Sequence, residues 1–197
     1  MYERKDALYR RAKREGFRSR AAYKLEELQS AHRVLRAGQR VVDLGAWPGG
    51  WMQVAAGLVG PEGRVVGVDV AAIDPFPELA NVVAIQADLS EVGVDARLLE
   101  ALGGPADVVL SDAAPKLTGI RATDRAREEA LLEAVEALVP KLLRPGGALI
   151  LKLLESPEAQ AIARRLGKRF AAAKATKLQS TRQGSSEKYL ITKDFHG

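Results

Sequence analysis

The sequence predicts an α/β fold in which a mostly parallel, seven-stranded sheet carries helices on both faces. From Arg40 onward, short apolar segments alternate with amphipathic helical segments, as in parallel strands joined by crossover helices. The last two predicted strands have no helix between them, so we expect an antiparallel last strand at one side of the sheet. The composition, 47% hydrophobic and 28% charged residues, is that of a globular chain.

Residues 1–39 predict a basic helical arm. Apolar residues recur there at helical spacing, and Gly16 interrupts the pattern. Ser19 is a candidate N-cap for a second helix whose apolar face begins at Ala22. No Pro-, Gly- or Ser-rich linker follows the arm. We therefore expect residues 1–197 to form a single domain.

The Rossmann-like core is predicted over residues 40–197. Its strands are expected at Arg40–Leu44, Arg64–Val68, Val82–Ile85, Ala106–Leu110, Ala148–Leu151, Ala172–Leu178 and Lys188–Thr192. Its helices are expected at Gly50–Val59, Asp95–Leu102, Arg125–Leu143 and Pro157–Arg169. The turn residues Pro145, Gly146 and Gly147 are expected to end the longest helix and to precede the fifth strand.

The composition excludes several classes of function. The chain has no cysteine, so disulfides and cysteine-based metal or nucleophile chemistry are excluded. Its two histidines, His32 and His196, are too few for a histidine-rich metal site, and we expect no metal. There is no apolar run long enough to span a bilayer and no signal-peptide pattern. The expectation is a cytoplasmic protein without a membrane partner.

The charge of the chain is strongly segregated. Residues 1–40 and residues 164–197 each carry a net charge of +7, whereas residues 41–163 carry −9, within a total of +5. If the two basic ends meet in space, they form a surface suited to the phosphates of a nucleic acid. The alternative is two separate, solvated basic segments.

The segment DLGAWPGG, residues 43–50, follows the first predicted strand, where doubly wound sheets bind their ligands. Its glycines, Gly45, Gly49 and Gly50, do not have the G-x-G-x-x-G spacing of a dinucleotide site. Asp43 stands at the end of the strand, where its carboxylate could orient the loop or meet a cationic ligand group.

Two further carboxylates, those of Asp69 and Asp88, follow the next two predicted strands. The carboxylate of Asp69 is placed to accept hydrogen bonds from both hydroxyls of a ribose. That of Asp88 is placed to accept a hydrogen bond from an adenine amino group. Each residue alone could be an ordinary turn or helix-cap aspartate. With Asp43, they describe an adenosine site without a lysine-bearing phosphate loop, which favours S-adenosylmethionine over ATP or NAD.

A second group of charged residues is predicted on the following strands. The segment VVLSDAAP puts Asp112 beside the adenosine site, and ALILKLLE places Lys152 among apolar residues. Burying a lysine is costly unless the ammonium is paired or used. The alternative to a functional role is a lysine whose head group reaches solvent, or a simple Asp–Lys ion pair.

Several segments, taken in order, resemble the FtsJ/RrmJ family of RNA ribose 2′-O-methyltransferases: SRAAYKL, VVDLGAWPGGW, GVD, QAD, LSDAAP, LILK and SSEKYLI. The resemblance extends over roughly residues 18–193. It implies a class I S-adenosylmethionine-dependent methyltransferase fold with RNA as the partner. In its length without an added domain, the chain is most similar to bacterial members that methylate a uridine in the A-loop of 23S rRNA, within the large ribosomal subunit. We expect a monomer without an obligate protein partner.

The resemblance also implies roles for individual residues. The implied catalytic set is Lys24, Asp112, Lys152 and Glu187. The implied S-adenosylmethionine contacts are Gly49, Trp51, Asp69, Asp88 and Asp112. A ribose 2′-hydroxyl must lose its proton as it attacks the methyl group, so a positioned base is needed, and Lys152 is the candidate. Burial and the charge of Lys24 favour the neutral amine, whereas Asp112 and Glu187 favour the ammonium.

Because Lys24 and Glu187 come from opposite ends of the chain, this assignment requires both basic ends to converge on one site. The residues then expected to contact the RNA backbone are Arg10, Arg11, Lys13, Arg14, Arg18, Arg20, Lys177 and Arg182.

Three features depart from the family pattern and bear on the substrate more than on the reaction. Trp47 stands where a small residue is usual, LLES follows Lys152, and Lys116 replaces a frequent asparagine. Alternatives are a tRNA ribose as substrate, or an RNA-binding protein that has lost catalysis. A nicotinamide-dependent dehydrogenase is disfavoured because the dinucleotide glycine spacing is missing.

Overall fold

The computed structural model describes residues 7–115, 118–181 and 186–197, within which six helices and seven strands are found. The helices are α1 (Ala7–Arg14), α2 (Ala22–His32), α3 (Gly50–Val59), α4 (Val94–Leu102), α5 (Arg121–Leu142) and α6 (Pro157–Gly167). The strands are β1 (Arg40–Leu44), β2 (Arg64–Asp69), β3 (Val82–Gln86), β4 (Ala106–Ser111), β5 (Leu143–Leu153), β6 (Phe170–Thr176) and β7 (Lys188–Phe195).

All seven strands form one sheet in the order β3-β2-β1-β4-β5-β7-β6. The first five strands pair in parallel, whereas β7 lies antiparallel to both of its neighbours, β5 and β6. The predicted fold class is therefore confirmed, including the antiparallel last strand. The order in which strands are added to the sheet reverses between β1 and β4, and the crossover connections on the two sides of this point leave a crevice at the carboxyl ends of those strands.

Each face of the sheet is covered by its own apolar cluster. Successive residues of a strand point to opposite faces, so Val41 joins the cluster beneath α2 and α3, and Val42 joins the cluster beneath α4, α5 and α6. Fully buried side chains such as Leu25 and Met52 fill the first cluster, and Leu98 belongs to the second. The arm helix α2 is thus packed onto the sheet, and its Lys24 is held near the carboxyl edge. No helix of the described ranges has the length and apolarity needed to cross a membrane.

The predicted N-cap of α2 is wrong. The residue before the helix is Ala21, which makes no side-chain cap. A turn already precedes the helix, in which the Ala22 N–H donates to the Ser19 carbonyl at 3.3 Å. The Ser19 hydroxyl points instead toward α3, where a Cβ on Gly50 would lie 2.3 Å from its oxygen.

Two boundaries, the starts of β5 and of α5, differ from prediction by four residues or more. Strand β5 begins at Leu143, so Pro145-Gly146-Gly147 lies inside its first part, where the pairing of Ala106 with Leu143 and of Val108 with Ala148 marks a register irregularity. Such a bulge accommodates residues that lack a side chain or an N–H group. Helix α5 begins at Arg121 and contains Pro140 near its carboxyl end.

Candidate active site

The main cleft of the described residues, about 590 Å³ in volume, opens at the carboxyl ends of β1 to β4. It is lined by Gly45, Trp47, Asp69, Val70, Asp88, Leu89, Ser90, Asp112, Ala113, Ala114, Pro115, Arg127, Ala130, Leu131 and Ala134. A small pocket of about 30 Å³ is lined by Ser19, Ala21, Asp43, Gly45, Ala46, Trp47, Gly50, Trp51 and Asp112. Both therefore share Gly45, Trp47 and Asp112.

The loop after β1 requires a glycine at its first position. Gly45 has a φ of +76°, and a Cβ there would lie 2.3 Å from the Ala113 Cβ. The N–H groups of Gly45 and Ala46 both donate to the Val68 carbonyl, at 2.8 and 3.0 Å. This backbone therefore crosses close to the end of β4 and leaves the cleft open above it.

Asp69 and Asp88, the predicted adenosine contacts, both lie on the wall of the main cleft. The Asp69 carboxylate accepts the N–H groups of Trp47 at 3.0 Å and Ala71 at 2.9 Å. The N–H and hydroxyl of Ser90 donate to the Asp88 carboxylate at 2.8 and 2.7 Å, and these bonds lower the pKa of Asp88. Both carboxylates are thus held in place as hydrogen-bond acceptors.

Gly49 and Trp51, the other predicted donor contacts, do not line the main cleft. Gly49 is buried, and a Cβ there would lie 2.5 Å from Phe76 and 3.3 Å from Arg18. The Trp51 indole N–H donates to the Ala21 carbonyl at 2.8 Å, and Trp51 reaches only the small pocket. A donor-contacting role for these two residues stays a prediction.

The four residues of the predicted catalytic set do come together. The Lys24 ammonium lies 2.7 Å from the Glu187 carboxylate and 3.6 Å from that of Asp112. The Lys152 ammonium lies 3.3 Å from the Asp112 carboxylate and donates to the Asp112 carbonyl at 2.5 Å. Asp112 is therefore bracketed by two lysines, and both lysines are buried. The predicted convergence of the two chain ends is confirmed by the Lys24–Glu187 contact.

The sequence interpretation missed Tyr189, which completes this cluster. Its hydroxyl donates to the Asp112 carboxylate at 2.6 Å, and it pairs directly with Lys152 across β5 and β7. Burial, with the nearby negative charge of Asp112, raises the pKa of Tyr189, so its hydroxyl remains a proton donor at neutral pH. The available signal was the spacing from Glu187, since residues two apart on a strand share a face.

Asp43 is the one buried carboxylate at the carboxyl edge of β1, and its Oδ2 atom has no hydrogen-bond partner within the described chain. Burial raises the pKa of Asp43 well above its usual range, and the charges of Asp112 and Asp69 raise it further. A buried carboxyl oxygen without a partner costs stability, and Asp43 lines the small pocket, so the predicted contact with a cationic ligand group stays a prediction at this position.

The predicted RNA-contacting residues divide into three groups. Arg10, Lys13, Arg14 and Lys177 are exposed, and Arg20 is half-buried. Arg11 is exposed but paired with Glu15 at 2.8 Å. Arg18 is half-buried, and its guanidinium donates to the carbonyls of Asp74 at 2.6 Å and of Pro75, so its predicted RNA contact stays a prediction. Lys116 and Arg182 lie outside the described residues. Among the described ranges, no cluster of three or more potential metal ligands occurs.

Comparison with known proteins identifies the family. Residues 17–195 match the FtsJ-like methyltransferase family. The chain is 42% identical to "Ribosomal RNA large subunit methyltransferase E" of Methanobrevibacter smithii, over 99% of this chain and 92% of that protein. It is 40% identical to the enzyme of the same name from Pseudomonas aeruginosa, over 98% of this chain and 92% of that protein.

Solved structures agree with this relationship. A ribosomal RNA methyltransferase structure from Plasmodium falciparum superposes with a TM-score of 0.80 at 30% identity, covering 92% of this chain and all of that one. The fold is also that of Aeropyrum pernix fibrillarin, solved with natively bound S-adenosyl-L-methionine, with a TM-score of 0.61 at 16% identity over 87% of this chain and 73% of that one. The chain therefore belongs to the FtsJ-like methyltransferase family, whose ribosomal RNA large subunit members are its relatives over nearly its whole length.

Proposed function

We propose that this protein transfers a methyl group from S-adenosylmethionine to a ribose 2′-hydroxyl of RNA, and that its target is a uridine in the A-loop of 23S rRNA. The observation that carries the reaction is the cluster of Lys24, Asp112, Lys152 and Glu187 at the edge of the main cleft, in which both lysines are buried and both carboxylates are partly buried. The names of the relatives support ribosomal RNA as the substrate. A cytoplasmic location and a monomeric state belong to the same proposal.

The residues of the cleft fit S-adenosylmethionine. Asp69 and Asp88 offer carboxylate acceptors for the ribose and adenine groups. The unpartnered Asp43 Oδ2 offers a negative counterpart to a positively charged ligand, whose approach would favour ionisation of the buried carboxyl. The bare backbone at Gly45 leaves room for close approach. When bound, the donor supplies an electrophilic methyl group on a sulfonium.

Lys152 is the proposed general base, which accepts the proton of the 2′-hydroxyl in its neutral form. The Asp112 carbonyl and carboxylate fix the position of its Nζ atom, at 2.5 and 3.3 Å. Tyr189 donates to the same carboxylate and thereby holds its orientation. Lys24 and Glu187, which contact each other, are proposed to orient the ribose and to balance the charge of the cluster.

The test is transfer of a labelled methyl group from S-adenosylmethionine to RNA, followed by mapping of the modified nucleotide. Intact large ribosomal subunits, naked 23S rRNA and tRNA serve as separate acceptors. We expect label on a 2′-oxygen in the A-loop. Label on tRNA alone would refute 23S rRNA as the substrate. Label on a base would refute transfer of the methyl group to a ribose hydroxyl.

Lys152→Ala tests the base. We expect the rate of methyl transfer to fall by a factor of about 10² to 10⁴, the usual contribution of a positioned base, while donor binding measured by calorimetry changes little. Lys141→Ala is the matched control, because Lys141 lies on the surface at the opposite edge of the sheet, 3.6 Å from Asp95. Near-normal turnover by Lys152→Ala would contradict the assignment.

A further inference from the structure

Trp47 is the most conspicuous side chain at the mouth of the site. It lies in the loop between β1 and α3, and 59% of the residue is exposed. It borders both the main cleft, beside Asp69, and the small pocket, beside Asp112. Tryptophan is enriched at interfaces because it combines a large apolar surface with a polar N–H group, so an exposed one beside a cleft is a candidate contact for a partner.

The backbone around Trp47 is firmly held, although the ring is uncovered. The Trp47 N–H donates to the Asp69 carboxylate at 3.0 Å, and the Gly49 N–H donates to the Ala46 carbonyl at 2.7 Å. A held loop presents the indole with little loss of backbone entropy on binding. Trp47 contacts Asp69 through its backbone N–H and not through its indole ring. The exposed ring is therefore available for contact with a bound ligand.

The loop that presents Trp47 also adjoins the basic arm. The Arg18 guanidinium lies 3.5 Å from the carbonyl of Pro48, the residue after Trp47. Beyond Arg18, the helix α1 carries the exposed Arg10, Lys13 and Arg14. An aromatic platform next to a positive segment is the combination with which proteins bind single-stranded nucleic acids, because bases stack on the ring while phosphates meet the charges.

We propose that Trp47 stacks on a base of the bound RNA, at or next to the nucleotide whose ribose faces Asp112. This inference rests on the proposed function, because it takes the RNA as the second substrate. The stack positions the nucleotide at the boundary between the donor cleft and the catalytic cluster. Trp47 is thereby a positioning residue for RNA and not a contact of the methyl donor.

The fluorescence of the protein offers a direct test, because the chain has two tryptophans and the other, Trp51, is 3% exposed. The wild-type protein, saturated with S-adenosylhomocysteine to prevent turnover, is titrated with an A-loop RNA oligonucleotide. We expect the RNA to quench the emission of wild-type protein but not that of Trp47→Phe, which retains only Trp51. Quenching of equal size by S-adenosylhomocysteine alone, with no further change on adding RNA, would overturn the proposal.

Binding and turnover of Trp47→Ala provide the second test. We expect the Kd for the oligonucleotide and the KM for RNA to rise about 5- to 100-fold, as for removal of one stacked base, with the Kd for S-adenosylmethionine unchanged within about twofold. Trp47→Phe should recover much of the affinity. Val92→Ala is the matched control, because Val92 is 98% exposed and does not line the cleft.

The outcomes separate this inference from the function on which it rests. If wild-type protein methylates RNA and Trp47→Ala does so with the same KM, the stack is refuted and the function stands. If Trp47→Ala loses affinity for S-adenosylmethionine instead of RNA, the ring covers the donor and the proposal is wrong. If wild-type protein modifies no RNA, the proposed function fails, whatever the fluorescence shows.

Discussion

The Asp43 carboxyl, which we propose as the counterpart of the positively charged donor, is at the same time expected to lower the stability of the fold. It is completely enclosed at the end of β1, its Oδ2 is unpartnered, and its pKa is raised by burial and by Asp112 and Asp69. In the folded protein the neutral form is favoured, so ionisation costs folding free energy as the pH rises above the ordinary aspartate value of about 3.9. The penalty is complete once the pH exceeds the raised pKa.

Asp43→Asn is therefore expected to stabilise the free protein and to weaken donor binding. The gain in Tm over wild type should be small near pH 3.5 and should grow with pH, because only the aspartate is penalised for ionising. Melting curves between pH 3.5 and 8, with calorimetry of S-adenosylmethionine at pH 7.5, measure both effects. A lower Tm for the variant at pH 8, or unchanged donor affinity, would contradict this account.

Individual residues also mark where sequence reasoning stopped short. Lys24, Asp112, Lys152 and Glu187 were identified by resemblance, and the structure brings them together. Tyr189 was missed because its role depends on register: it meets Asp112 only since β7 pairs antiparallel with β5. Such a contact joins residues 77 positions apart and leaves no local pattern in the sequence.

Among the contacts between elements, those of Arg18 join the arm to the connection between β2 and β3 and to α3. The Arg18 guanidinium donates to the Asp74 and Pro75 carbonyls in the connection between β2 and β3, and it lies 3.5 Å from the centroid of the Phe76 ring. Its backbone N–H also donates to Gln53 in α3 at 2.8 Å. Arg18 thus joins three segments of the chain around the glycine loop.

Arg18→Ala is expected to destabilise the fold without changing how RNA binding depends on salt. Losing hydrogen bonds from a charged group should cost about 1–3 kcal/mol, which lowers the Tm of a chain of this size by roughly 3–10 °C. Arg14→Ala, in an exposed position on α1, is the control and should leave the Tm nearly unchanged. Calorimetric melting measures both variants, and equal Tm values would refute the fastening role.

The central strands were readily predicted, because short apolar runs bounded by turn residues favour buried strands. Strand β1 matches its predicted bounds, and so does helix α3. The start of β5 was misplaced because Pro145, Gly146 and Gly147 look like a turn, whereas pairing with β4 extends the strand through them. Ser19 failed as a cap because tertiary packing against Gly50 placed its hydroxyl elsewhere.

At the scale of the whole molecule, the segregation of charge along the chain places positive and negative charges in different parts of the fold. The two basic ends of the chain meet at the Lys24–Glu187 contact, whereas residues 41–163 supply the acidic body. Because the negative charges of the body repel RNA, the phosphates are directed toward the arm and the adjoining carboxyl end. Composition predicted this division, but only the fold shows that its two basic parts are adjacent.

Replacing Arg10, Lys13 and Arg14 together by glutamine is expected to weaken RNA binding and to flatten its salt dependence. For a single strand, each phosphate that is no longer neutralised should reduce the slope of log K against log salt by about 0.7. Titration of the A-loop oligonucleotide at several KCl concentrations gives the slope. Replacing Arg64, Lys141 and Arg144 by glutamine serves as the control of equal charge, and equal slopes for both triple variants would contradict an interface on the arm.

The contact between Lys24 and Glu187 can form only late in synthesis, after both ends of the chain have been made. The two residues are separated by 163 positions. At about 5–20 residues per second, a ribosome needs roughly 8–30 s to travel between them. During that interval the residues of α2 have been synthesised, while the strand that completes the charge cluster has not been made. The proposed methyl transfer therefore has to wait until β7 has been synthesised and has joined the sheet.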